Sequence, residues 1–268
     1  MRIISNNHNI NIVKNPASQS QPSFQAQIRQ GTYDICLPGK HGKAEGIIFI
    51  LLDKYYPDSI KNLQVVDLGA GYGRNSVALA KKECSVTSVD LSGKQLEKLE
   101  KYSNLRNLGV KTLQGNLLSD LTQENILKGI FGIRTKGELL NPEQFDLAIM
   151  CNVSQHFNEQ ELALALANAN KLLKKDGMMI FDALINNHEY VVKNPVQAEK
   201  GGYRSFNKED VKSAINSAGF ELVECKNHIL LWDSSPYVKA KQWGYKTKSA
   251  KKDDMYDVTL KWFVIQKK

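Results

Sequence analysis

The sequence predicts an α/β protein in three layers: a seven-stranded, mostly parallel sheet between helices, with an antiparallel strand at its C-terminal end. Three observations predict it. Val65 to Ser76, VVDLGAGYGRNS, reads as a strand, a tight turn and a helix start, with glycines at 69, 71 and 73. Strand-like segments near residues 64, 86, 111, 146, 178, 221 and 259 alternate with helical ones until the last pair, which is joined by a hairpin-like return instead of a helix. Phe145 to Val153, FDLAIMCNV, is a nearly continuous apolar run, as a central parallel strand buried on both faces requires.

Composition bounds the rest. With 268 residues and 42% hydrophobic content, one catalytic domain with appendages is the default. The longest apolar run, Ile47 to Leu52, is too short to span a bilayer, and no signal peptide opens the chain, so the expectation is a soluble, cytoplasmic protein without a membrane partner. Cys36, Cys84, Cys151 and Cys225 lie far apart with no C-x-x-C pair, which reads as buried reduced thiols and no metal site. The net charge of +8 is concentrated in Lys239 to Lys252, a window with six lysines and no acid. That stretch is either a solvated basic loop or a surface for RNA or an acidic protein.

In chain order, residues 1–30 are rich in Asn, Gln and Ser with no acid and no sustained periodicity, which predicts a disordered leader, either a plain tail or an export signal. The remainder, 31–268, reads as the domain, with a lid-like N-terminal segment and insertions near 119–144, 186–205 and 229–257. A helix over about 43–55 is too apolar for an exposed face and must pack on the sheet. After the glycine turn come a helix over 75–82 and a strand over 85–89 ending in Asp90. About twenty residues separate the turn from that acid, the span of one βαβ unit, which sets a carboxylate at the neighbouring strand's carboxyl edge. There it can accept hydrogen bonds from a ribose diol, which favours an adenosine-bearing ligand. A helix over 94–108 and a strand over 110–113 follow, leading to Gly115-Asn116-Leu117; a short helix is expected over 123–131. The run from Phe145 ends at Ser154, Gln155, His156 and Phe157. A periodic helix from residue 158 or 159 is expected to stop at Lys174-Lys175-Asp176-Gly177, basic residues and then glycine. Met178 to Ile185 is a second buried strand. The loop 186–205 is the first choice for holding an acceptor. A helix to Ala218, capped by Asn207 with Asp210 at its third position, leads to a strand from Gly219 to Glu224, and Val258 to Gln266 is the last strand.

The spacing of the glycines narrows the ligand. A dinucleotide fingerprint G-x-G-x-x-G started at Gly69 needs glycine where Arg74 stands. The pattern D-x-G-x-G-x-G, Asp67 to Gly73, instead resembles motif I of the class I S-adenosylmethionine-dependent methyltransferases. The stretch from Phe145 to Phe157 resembles motif IV of their small-molecule type, and LLKKDGMMIF and the Ala218-Gly219-Phe220 phrase resemble recurrent phrases of the same family. The resemblance covers residues 43–268. It implies the three-layer Rossmann-like class I methyltransferase fold, a transferase activity and S-adenosyl-L-methionine as cofactor. It further implies that the main chain at Gly69, Ala70 and Gly71 holds the methionine part and Asp90 the ribose. Leu91, Asn116 and Leu117 then face the adenine, with Asn116 where the family commonly has an acid, and Cys151 and Asn152 flank the donor through their main chain. Asp67 is a further candidate cofactor-binding residue by its place in the motif, and Tyr33, Lys40 and His41 are candidate lid residues.

His156 either orients or deprotonates the acceptor, or holds a helix start by bonding the backbone. Cys151 reads as packing, not as a nucleophile. Neither N-P-P-Y, D-P-P-Y nor a Pro-Cys pair is present at motif IV, which sets aside adenine-N6 and cytosine-C5 chemistry. A small-molecule acceptor leads. RNA or a protein reached through the lysine stretch is the alternative enzyme reading. A non-catalytic S-adenosylmethionine-binding or NAD-binding module is the alternative class.

Overall fold

A computed structural model of the chain describes residues 44–122, 140–186, 205–227 and 258–268. The expected leader, the lid candidates Tyr33, Lys40 and His41, the 123–131 helix, nearly all of the acceptor loop and the lysine stretch lie outside them, as does Cys36. The elements in order are α1 (Gly46–Tyr55), β1 (Gln64–Leu68), α2 (Arg74–Ala80), β2 (Ser85–Asp90), α3 (Gly93–Leu105), β3 (Lys111–Gln114), β4 (Phe145–Met150), a short 3-10 turn (Ser154–His156), α4 (Glu159–Leu172), β5 (Leu173–Asn186), α5 (Lys208–Ser217), β6 (Phe220–Asn227) and β7 (Val258–Lys267).

The strands form one seven-stranded sheet in the order β3-β2-β1-β4-β5-β7-β6. β1 to β5 run parallel, and β7 lies antiparallel between β5 and β6. The order reverses at β1 and β4, which places the crevice that ligands use in open α/β sheets at the carboxyl ends of those two strands.

Alternation along each strand sorts the core onto two faces, because successive side chains of a strand point to opposite sides. Val66, Leu68, Ala148, Met150, Met179, Phe181, Phe263 and Ile265 pack under α4 and α5 through Leu162, Leu166, Val211 and Ile215. Val65, Leu147, Ile149, Ile180, Trp262 and Val264 pack under α1, α2 and α3 through Ile48, Leu51, Val77 and Leu99. β4 is therefore buried on both faces, as its unbroken apolar run requires.

Two local expectations are corrected. α4 stops at Leu172, before the Lys174 to Gly177 signal, because Leu173 already turns to extended angles (φ −80°, ψ 140°) and pairs with Phe145 at the start of β5. The left-handed residue in the expected stop is Asp176 (φ 62°), not Gly177. It belongs to the register break between the Phe145–Leu173 and Leu147–Met178 pairs. Asn207 does occupy the N-cap of α5, but it makes no side-chain bond to the helix backbone; its amide donates to Asp210 Oδ2 at 3.0 Å.

Candidate functional site

The turn after β1 is fixed by main-chain groups of β2. The N–H groups of Gly69 and Ala70 both donate to the Val89 carbonyl, at 2.7 and 3.0 Å. Gly71 N–H donates to Asp90 Oδ2 at 2.8 Å, and Asp90 Oδ1 accepts from Ser92 N–H at 2.8 Å. Gly69 and Gly73 stand at φ 78° and 76°, where a side chain is strained. Neither position has room for one: a Cβ at Gly69 would meet Val153 Cγ2 at 2.3 Å, and one at Gly73 would meet Leu99 Cδ1 at 2.3 Å. The glycines thus let the turn lie directly against the segment after β4 and against α3.

Asp67 sits behind this turn, 2% exposed. Its Oδ2 accepts from Ser76 Oγ, which in turn accepts from Ser88 Oγ at 2.8 Å, so the acid ties the end of β1 to α2 and β2. Burial lifts its carboxyl to about 6 despite the Ser76 bond, and the charge of Asp90 adds to the rise. Burial also raises Asp90, against the main-chain N–H bonds that hold it down.

Beyond β2, Gly115 N–H donates to the Asp90 carbonyl at 3.0 Å, carrying the edge on to the loop after β3. Asn116 is buried there, and its Oδ1 accepts from Leu118 N–H at 3.0 Å. Leu117 is buried beside it, and its carbonyl accepts from Asn168 of α4. Leu91 is partly buried next to Asp90, its carbonyl held by Gln114 Nε2 at 3.1 Å.

On the other side of β1, the chain leaves β4 through Cys151 and then Asn152, which takes φ 58°. Asn152 N–H donates to Asp182 Oδ1 at 2.8 Å, and its carbonyl accepts from Gln155 Nε2 at 3.0 Å. Its amide reaches Glu45 Oε1 at 3.3 Å. Ser154 Oγ donates to the Asp182 carbonyl, fastening the same turn to β5. Glu45, just ahead of α1, pairs with Arg74 at 2.6 Å, and its N–H donates to Asn75 Oδ1 at 3.0 Å. A polar chain therefore runs from β5 through the end of β4 to the start of α1 and the glycine turn.

Burial pushes the Cys151 thiol well above its ordinary range, which makes it a packing group. Burial lowers His156 to about 4, so its ring is neutral at pH 7. Its main-chain N–H closes the 3-10 turn on the Val153 carbonyl at 2.9 Å. Asp182 is wholly buried, and burial lifts its carboxyl to about 7. Its Oδ2 has no hydrogen-bond partner among the described residues.

Gly69, Ala70, Gly71 and Asp90 are thus bonded into one unit. Cys151 and Asn152 lie against that unit through Val153, while Leu91, Asn116 and Leu117 extend it along the edge. Three residues of the same edge carried no motif: Glu45, Arg74 and Asp182. Asp182 did leave a trace, an acid inside the apolar run Met178 to Ile185.

Residues 66–179, which span β1 to the start of β5, match the family described as "Methyltransferase domain". This stretch is a class I S-adenosylmethionine-dependent methyltransferase domain. Over 84 residues the chain is 32% identical to a release factor glutamine methyltransferase from Flavobacterium psychrophilum, a match that covers 30% of each chain. The methyltransferase fold recurs in solved structures of low identity. A SAM-dependent methyltransferase from Methanosarcina mazei has TM-score 0.56 at 14% identity over 84% of this chain and 99% of that one. Magnesium protoporphyrin IX methyltransferase from Synechocystis PCC 6803, with bound SAH, has TM-score 0.52 at 14% identity over 83% and 80%. The [4+2]-cyclase SpnF shares the fold at TM-score 0.59 and 13% identity over 86% and 85%. The methyltransferase domain carries no helix, among the described residues, long and apolar enough to cross a membrane.

Proposed function

We propose that the chain transfers a methyl group from S-adenosylmethionine to a small-molecule acceptor, the donor lying across the carboxyl ends of β2, β1 and β4. The observation that carries this reading is the bond between Gly71 N–H and Asp90 Oδ2. It fixes a bare main-chain floor and a carboxylate side by side, which suits the two ends of one nucleoside-bearing ligand. Asp90 has given one lone pair of each oxygen to a main-chain N–H; the remaining lone pairs suit two ribose hydroxyls. Asn116 Oδ1 likewise keeps one lone pair for the adenine amine. The main chain of Gly69 to Gly71 and of Cys151 and Asn152 borders the methionine end.

When bound, S-adenosylmethionine supplies a methyl group already activated on a cationic sulfur. The protein's task is then to hold the acceptor in line and exclude water, and orientation alone can supply about 7–11 kcal/mol. His156, neutral at pH 7 and only weakly basic, suits orienting the acceptor by a hydrogen bond better than taking its proton. An acceptor with a readily lost proton, or one that loses it to solvent, fits this site.

A second reading, RNA or protein as acceptor, draws on the Lys239–Lys252 stretch and on the likeness to the release factor glutamine methyltransferase. Incubating the protein with labelled donor and fractionated cell extract separates the two. Label in the small-molecule pool supports the first. Label in RNA or protein, lost when Lys246, Lys248, Lys251 and Lys252 are changed to Glu, replaces it with the second. Tight NAD binding with no response to S-adenosylhomocysteine would remove the methyl-donor reading altogether.

A further inference from the structure

The carboxyl edge holds more buried acid than donor binding calls for. Asp67 lies one residue before the end of β1, Asp90 ends β2 and Asp182 lies near the end of β5, while Glu45 closes the edge from the α1 side. The cation that bears on them among the described residues is Arg74, already paired with Glu45 at 2.6 Å. Asp182 is the least compensated. It has no exposure, one oxygen spent on Asn152 N–H and the other without a partner among the described residues. An orphaned buried acceptor is costly, and the cost falls if the group is neutral or if a fixed positive charge arrives beside it.

We infer that Asp182 is a charge-sensing site: it gives up a proton to solvent when a ligand with a cationic sulfur binds at the end of β4, and regains one when that charge is consumed. This rests on the donor reading above. The balance is simple. Donor binding converts the Asp182 carboxyl to a carboxylate and releases one proton. Methyl transfer breaks the sulfur–methyl bond, leaves its electron pair on a now neutral sulfur, and lets Asp182 take a proton back. Over a cycle Asp182 contributes none. The groups that face it are Glu45 from the segment before α1, Arg74 from α2, and Cys151 and the Asn152 main chain from the segment that follows β4. Asp67 meets Arg74, Asp90 and Ser76. Asp182 stands at about 7 and Asp67 at about 6, so Asp182 is the group with a proton to lose near neutrality. The consequence is discrimination: the edge holds the charged donor more firmly, relative to its neutral-sulfur product, as pH rises through 7.

The test is titration calorimetry of the full chain with S-adenosylmethionine and with S-adenosylhomocysteine, in buffers of differing ionisation enthalpy between pH 6 and 8. The two ligands carry the same kinds of titrating group, but the sulfonium lowers the donor's own ammonium, so the share of the proton difference that belongs to Asp182 is the share that Asp182→Asn removes. Donor binding is expected to release a substantial fraction of a proton near pH 7 that product binding does not, and Asp182→Asn to remove most of that difference; a difference that the variant leaves unchanged overturns the inference. Asn keeps the oxygen that accepts from Asn152 N–H. In the unaltered protein, the ratio of product Kd to donor Kd is expected to rise several-fold from pH 6 to pH 8, which needs no variant. Equal proton release with a flat ratio overturns the inference and leaves the donor reading standing. Failure of both ligands to bind overturns the donor reading and the inference with it.

Discussion

Asp90 holds the fold with the same carboxylate that is proposed to hold the ribose. Each of its oxygens holds a main-chain N–H, of Gly71 and of Ser92, and its spacing from the glycine turn made it legible in the sequence. Asp90→Asn keeps one acceptor oxygen but puts a donor where Gly71 or Ser92 needs an acceptor. Its affinity for S-adenosylhomocysteine is expected to fall at least tenfold, about 1.4 kcal/mol, measured by calorimetry; unchanged affinity would refute the ribose assignment. Asp182 escaped the sequence reading because periodicity ranks a lone acid in an apolar run as an interruption, and only the fold reveals that it meets Asn152 N–H. Its stability effect has a definite sign. The folded carboxyl titrates at about 7 against an ordinary 3.8, so between those values the folded state holds a proton that the unfolded chain has lost. Stability therefore falls as pH rises through that window and levels off above 7. The slope approaches about 1.4 kcal/mol per pH unit for one group, and Asp67, rising to about 6, adds the same sign. Chemical denaturation of ligand-free Asp182→Asn is expected to show a gain over the unaltered protein that grows from pH 5 to pH 7. A difference independent of pH would mean that Asp182 is ionised throughout.

At the scale of elements, local chemistry decided where α4 starts but not where it stops. Asn158 opens α4 with a reciprocal capping box. Its Oδ1 accepts from Glu161 N–H at 2.8 Å, and Glu161 Oε2 accepts from Asn158 N–H at 2.8 Å. Asn158→Ala is expected to cost about 1 kcal/mol, read as a lower denaturation midpoint with the affinity for S-adenosylhomocysteine unchanged, since Asn158 lies outside the proposed donor-binding residues. A loss of binding equal to the loss of stability would mean that α4 sets the turn holding His156. The stop of α4 misled because Lys174 to Gly177 carries every local mark of a helix end, yet Leu173 is claimed by pairing with Phe145. A tertiary hydrogen-bonded pair outweighs a capping preference worth a fraction as much. The same pairing sets Lys174 against Asp146 at 2.6 Å, so its charge serves the start of the strand and not the helix dipole.

For the whole molecule, apolar runs carried most of the information. The near-continuous apolar runs in β1, β4 and β5 dictate a sheet covered on both faces, and the order of strands and helices then leaves few topologies. Contacts between residues distant in sequence were not legible: the clasp of Glu45, Arg74 and Asn152 joins residues up to 107 positions apart, and no short pattern announces it. β7 tests how far the sheet depends on the strand that is last in sequence. It is inserted between β5 and β6, so both neighbours lose their ladder if it is displaced. Trp262 faces the α1 side of that strand, 1% exposed, opposite Asp182 in the β5 ladder. Trp262→Ala should therefore cost about 3–5 kcal/mol from lost burial and the cavity left behind, and it should also open the wall beside Asp182. The first effect is read as a fall in denaturation midpoint. The second is read under conditions where the variant is still folded, as solvent reaching Asp182 and returning its carboxyl towards the ordinary range. The proton released on donor binding near pH 7 should shrink accordingly. A variant that loses the stability yet releases the same proton would show that Asp182 is insulated by β4 alone, with β7 acting only as the sheet's mechanical centre.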